Sequence, residues 1–209
     1  MITKPKIGII VGTTRATRFA DKPAQWLLNL ASQRDDADFE IIDLRDYPMP
    51  FFDEERSPMF SPPTNAVARA WGRKVAEFDG YIFVTAEYNH SMPAVLKNAL
   101  DYAYHEFVRK PATFVAYGGV GGARAVEQLR LVVAELHMSS LKHTVHIGAT
   151  EFIGMLMQGK SFADYPYLDD AAIMMLDHLV WWANTLRAGR DAGADEVADH
   201  AKMLKAAGA

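Results

Sequence analysis

Residues Gly80-Tyr81-Ile82-Phe83-Val84 run directly into Thr85-Ala86-Glu87-Tyr88-Asn89-His90-Ser91-Met92-Pro93, and this junction decides the fold. The first five residues form a continuous apolar run, the pattern of a strand buried on both faces of a parallel sheet. Beyond them Pro93 suits the first turn of a helix reaching about Phe107, with Ser91 as its N-cap. Polar residues are thus held where a strand ends and a helix begins, which is where open parallel sheets bind ligands. A lone junction of this kind is more often an ordinary capped loop. Two further junctions of the same kind change its weight.

The earlier one follows Lys6-Ile7-Gly8-Ile9-Ile10-Val11, an apolar, β-branched strand that stops at Gly12. The loop Gly12-Thr13-Thr14-Arg15-Ala16-Thr17-Arg18 leads to a helix starting near Asp21, with Pro23 in its first turn. Hydroxyls, guanidinium forks and a helix N-terminus together favour a phosphate. The Gly-Lys-Ser/Thr ending of a P-loop and the glycine spacing of a dinucleotide fingerprint are both missing. The bland alternative is a solvated loop with surface arginines. The later junction follows the strand Pro111–Tyr117. There Gly118-Gly119-Val120-Gly121-Gly122 leads into a helix reaching about Met138. Four glycines in five residues let a backbone approach something flat or anionic closely.

Strands at Phe39–Leu44 and Thr144–Ile147 bring the total to five. Helices over about Thr64–Phe78 and Leu168–Arg187 complete an alternating α/β pattern. The expected fold is flavodoxin-like: a doubly wound, five-stranded parallel sheet of order 2-1-3-4-5, with its switch point between strands one and three. The loops after strands one, three and four then converge on one rim. A phosphate at one end and a flat heterocycle at the other describes flavin mononucleotide, FMN.

The 209 residues are read as one domain, 1–209, with about 189–209 as a frayed tail. There is no cysteine, which rules out disulfides and thiol-ligated metal or iron–sulfur centres. His143 and His146 lie three apart on a strand and face opposite sides, so they are read as structural, and no metal is expected. The net charge of −4 argues against a nucleic-acid partner. The N-terminus lacks an apolar signal core, and no apolar run approaches the ~18 residues of a membrane span. A cytoplasmic protein with a small-molecule partner is expected. The segment Arg45–Pro63 is a long loop carrying Phe51, Phe52 and Phe60, suited to cover a site or a subunit contact. The helix from Pro93 to Phe107 is apolar on more than one face, which predicts a homodimer or a dimer of dimers. Residues 152–165, with Phe152, Phe162 and Tyr165, read as a loop.

Gly12-Thr13-Thr14-Arg15, Glu87–Pro93 with Leu96-Lys97-Asn98-Ala99-Leu100-Asp101, and Gly118–Ala125 with Gln128-Leu129-Arg130 stand in that order. Over Lys6 to Met138 the chain thereby resembles the NADPH-dependent FMN reductase family, which includes chromate and azo-dye reductases of flavodoxin-like fold. The resemblance implies that Thr13, Arg15, Thr17 and Arg18 hold the phosphate. It implies that Glu87, Tyr88, Asn89, His90 and Ser91 line the isoalloxazine, and that Gly118 and Gly119 bond its pyrimidine edge through the backbone. The family's first loop usually begins Gly-Ser; Thr13 keeps the hydroxyl. Flavin accepts a hydride from NADPH or NADH and passes electrons to an acceptor, here a flavin, quinone, azo compound or metal oxyanion, so no side chain is named as catalytic. A non-enzymatic flavin electron carrier and a binding protein with an empty site are the competing readings.

Overall fold

The computed structural model describes residues 4–193. The strand at the deciding junction is β3 (Gly80–Ala86), and every one of its residues is buried. It lies between β1 (Lys6–Val11) and β4 (Pro111–Tyr117), parallel to both. β2 (Asp38–Asp43) pairs with the other side of β1, which gives the order expected from the sequence. Such double-sided burial explains the unbroken apolar runs of β1, β3 and β4.

The fifth position of the sheet is shared. Both β5 (Ser139–Ser140) and β6 (Val145–Ile147) pair with β4, where the sequence suggested one strand. The link between them is held by Arg130, which donates to Ser140 Oγ at 3.0 Å, the Leu141 carbonyl at 2.6 Å and Thr144 Oγ1 at 3.2 Å. The Thr113 hydroxyl takes the His143 carbonyl at 2.5 Å.

Helices α1 (Asp21–Ala31) and α6 (Tyr167–Ala192) pack on one face of the sheet, with Leu27, Leu176 and Leu179 in that core. On the other face lie α2 (Ala66–Ala76), α3 (Ala94–Asp101) and α4 (Ala123–Glu135), with Trp71, Leu96 and Leu129. Three expectations need correction. First, α3 is shorter than predicted and is capped by Pro93 rather than Ser91. The Trp71 indole donates to the Ala99 carbonyl at 2.8 Å, the acceptor that a continuing helix would give to residue 103. Tyr102 and Phe107 are buried in their own chain, so they do not supply the subunit surface expected of them. Second, the predicted loop at 152–165 begins with a helix, α5 (Ala149–Met157). Gly154 in its middle reads as a breaker, yet a Cβ there would sit 2.1 Å from Tyr165 Oη, so packing demands glycine. Third, α6 runs on to Ala192; the rest of the expected frayed tail, from 194, lies outside the described residues.

The long loop is anchored on α3 and the turn that follows it. Both ends of the Asn98 amide bind it: Nδ2 donates to the Pro50 carbonyl at 2.7 Å and Oδ1 accepts from the Phe52 amide at 2.9 Å. Phe51 is left 79 % exposed.

Candidate cofactor site

Three loops meet at the C-terminal rim of the sheet. The first begins at Gly12, where a Cβ would lie 2.8 Å from Leu96, so only glycine lets α3 close against β1. The amides of Thr14, Arg15, Ala16 and Thr17 find no partner among the described residues. The side chains of Thr14, Arg15 and Thr17 face solvent, and Arg15 makes no ion pair among the described residues. These are the features of an anion cradle beside a helix N-terminus.

Arg18 stands differently. Its guanidinium donates to the Thr13 carbonyl at 2.5 Å, to Asp43 Oδ1 at 2.7 Å and Asp43 Oδ2, and to Asp21 at 2.8 and 2.5 Å. That engages all five of its N–H donors, and the side chain is 2 % exposed. Thr13 is also inside: it is fully buried, and its Oγ1 has no hydrogen-bond partner among the described residues. Tyr117, the last residue of β4, adjoins it. Burial pushes the Tyr117 phenol up to about 12, and the Thr13 hydroxyl opposes this without completing a hydrogen bond. Tyr117 packs edge-on against Phe19, and both rings contact Phe152, giving the rim an aromatic floor.

The loop after β3 is a two-residue hairpin turn. Tyr88 and Ser91 exchange backbone hydrogen bonds at 2.9 and 3.1 Å. Asn89 (φ 49°) and His90 (φ 69°) both adopt left-handed backbone, as a primed turn requires. Asparagine accepts this readily; histidine does so at a cost of about 1–3 kcal/mol, the kind of strain that gathers at functional sites. Both side chains are thereby turned to solvent. Glu87 is tied inward instead. Its carboxylate pairs with Arg124 at 3.0 Å and accepts the Arg124 amide at 3.2 Å, clamping this loop to the start of α4.

In the glycine loop the roles divide. Gly118 (φ 151°) donates its amide to the Ile147 carbonyl at 3.3 Å, so it is not the free donor that the resemblance implies. A Cβ on Gly122 (φ 69°) would sit 2.7 Å from Ala116 Cβ. Gly119 has no positive φ and faces open space. Its amide and that of Val120 have no partner among the described residues. Val120 is a donor that sequence reasoning missed, because a backbone role leaves no mark on residue type. Tyr117 was missed too, although an aromatic residue ending a strand just before a glycine loop is a usable signal. His146, read as structural, bonds the Gly121 carbonyl through Nδ1 at 2.8 Å.

Beside the first loop lies a cavity of about 560 Å³ lined by Thr14, Arg45, Tyr47, Met49, Val95 and Asn98. No group of three or more His, Cys, Asp or Glu that could hold a metal occurs among the described residues. No helix among them is long and apolar enough to cross a membrane. The rim offers free amides at two ends, an unengaged arginine and an open surface at Gly119. That combination fits a ligand with an anionic tail and a flat polar-edged ring, as FMN is.

The sequence profile of NADPH-dependent FMN reductases matches residues 5–151. The chain is 40 % identical over 136 residues to the NAD(P)H-dependent FMN reductase C4B3.06c of Schizosaccharomyces pombe, covering 64 % of this chain and 68 % of that one. It is 36 % identical over 138 residues to a 2-hydroxy-1,4-benzoquinone reductase of Burkholderia sp, covering 63 % and 71 %. The fold superposes on FerB, an NAD(P)H:(acceptor) oxidoreductase of Paracoccus denitrificans, with a TM-score of 0.67 at 19 % identity, over 87 % of this chain and 98 % of that one. Profile, relatives and sheet order agree, and the chain belongs to the NADPH-dependent FMN reductase family, whose enzymes use FMN with NAD(P)H.

Proposed function

We propose that this protein, as a single domain, binds FMN on the C-terminal rim and uses it to move electrons from NAD(P)H to a small quinone or free flavin. One observation carries the reading: two banks of amides, 14–17 and 119–120, and Arg15 stand on the same rim without partners among the described residues. Arg15, Thr17 and the first bank hold the phosphate. Gly119 and Val120 donate to the pyrimidine edge, where negative charge grows on reduction, so the fixed amides favour the reduced ring. Flavin supplies the hydride chemistry. The residues here bind, orient and leave one face open to the nicotinamide. Glu87, held by Arg124, orients its loop rather than moving a proton.

A quinone suits the apolar Tyr47 and Met49 wall of the adjoining cavity better than an oxyanion would. Its reduction would take place in the cytoplasm. Exposed Tyr167, Met174 and Trp181 recur every seven residues on α6 and support a homodimer. Sedimentation at micromolar concentration tests that part: a mass of one chain with FMN present would refute it. The activity is tested by NAD(P)H oxidation with FMN added, against benzoquinone, free flavin, azo dye and chromate. Turnover highest with quinone or flavin is expected. FMN binding without NAD(P)H oxidation would favour the electron carrier.

A further inference from the structure

We infer that Arg18 is a positioning residue: with Asp43 and Arg45 it clasps the loop 12–20 to the end of β2 and keeps the loop's amides open for the phosphate that Arg15 contacts. The inference rests on the reading of this rim as an FMN site.

The clasp has two arms pointing in opposite directions. From the loop, Arg18 reaches Asp43, the last residue of β2, while also holding the Thr13 carbonyl and Asp21 at the start of α1. From the β2 side, Arg45 reaches back and donates to the Arg15 carbonyl at 2.8 Å. Asp43 joins the arms, because it also accepts the Arg45 amide at 2.9 Å. Burial pushes the Asp43 carboxyl up, but Arg18 and the Arg45 amide outweigh it and hold the group below the usual carboxylate range. The pair therefore stays charged at neutral pH.

Burying such a pair costs desolvation, and its best use is to select one conformation. Here the selected conformation presents the amides of the exposed residues 14–17, which have no partner among the described residues, to solvent and to any ligand on the rim. Fixing them in advance removes an ordering cost from the binding step. For Arg18 to contact phosphate itself, it would have to leave both Asp43 and Asp21. Arg15, three residues earlier on the loop's outer side, has no such ties among the described residues.

The test uses apo protein of wild type, Arg15→Met, Arg18→Met, Asp43→Asn and the Arg18→Met/Asp43→Asn double variant. Each is titrated with FMN and with riboflavin by flavin fluorescence, and melting temperatures are recorded. Asp43→Asn and Arg18→Met should each weaken FMN by about tenfold, and the double variant by no more than the larger single effect, since both remove one clasp. Riboflavin, which lacks the phosphate, should keep its affinity in all variants. If Arg18 were itself a ligand, Asp43→Asn would loosen one of the two carboxylates that hold it back, and FMN would bind as tightly as before or more tightly. That result, additive losses, or an equal loss of riboflavin affinity would overturn the inference. If Arg18→Met does not fold, Asp43→Asn decides by the same criterion. A wild type that binds neither flavin refutes the FMN reading and this inference together. A wild type that binds FMN while Asp43→Asn leaves its affinity unchanged refutes the clasp alone.

Discussion

The two rims of the sheet carry similar residues and opposite bookkeeping. At the N-terminal rim Lys110, Arg187 and Arg190 are closed off. Asp79 receives Arg190 at 2.6 Å and the Lys6 amide at 3.1 Å, with Arg187 at 3.6 Å. Lys110, buried, donates to the Ala76 carbonyl at 3.3 Å and to Tyr81 Oη at 3.2 Å, and Tyr81 donates to the Val75 carbonyl at 2.5 Å. These contacts cap the C-terminal end of α2 and satisfy its last carbonyls. At the C-terminal rim, Arg15 and the amides of residues 14–17, 119 and 120 are left without partners among the described residues. Basic residues beside a strand end are therefore not a site by themselves. What distinguishes a site is donors that the fold holds in place and leaves free.

The comparison breaks most sharply in the glycine loop. Gly122→Val would force a branched side chain into left-handed backbone and against Ala116. A loss of about 3 kcal/mol or more is expected, read as a large fall in apo melting temperature. An unchanged melting temperature would contradict the geometry of this turn. Next in size is Arg15→Ala. A charge-assisted contact is worth about 1.5–3 kcal/mol, so FMN should bind at least about tenfold more weakly in a fluorescence titration, with the fold unaffected. Unchanged affinity would remove Arg15 from the site.

The N-terminal rim supplies the control. Burial first, and then Arg190, lower Lys110 from 10.5 to about 8, against the pull of Asp79 and Glu106. Between those values the unfolded chain binds more protons than the folded one. Stability should therefore rise with pH across that window, by at most about 3 kcal/mol, and this gain is lost as pH falls through 8. Lys110→Met should flatten that rise in chemical denaturation and leave FMN affinity unchanged. A slope that survives the substitution would mean another group titrates there. An altered FMN affinity would mean the rims are coupled.

Sheet order was legible because β1, β3 and β4 are buried on both faces and say so in composition. The meeting of three loops on one rim, where the candidate site lies, followed from that order. What could not be read was which donors remain free. Arg15 and Arg18 look alike in sequence; their difference comes from Asp43, 25 residues beyond Arg18. Gly118 and Gly119 look alike too, until the Ile147 carbonyl takes one amide. Helix α5 was hidden because it spans only nine residues and Gly154 in its middle looks like a break, although Phe152, Met155 and Leu156 do stand at helical spacing. The partner that demands that glycine, Tyr165, lies eleven residues on.

The central claim is that the free donors at Gly119 and Val120 hold the flavin ring. Gly119→Val tests it directly, because the new side chain points into open space and its backbone has no positive φ to resist it. Apo melting temperature and the FMN dissociation constant should be measured on one preparation. The account predicts a melting temperature within about 2 °C of wild type and FMN binding weakened by about tenfold or more. A fall in melting temperature with FMN affinity intact in the folded fraction would contradict it.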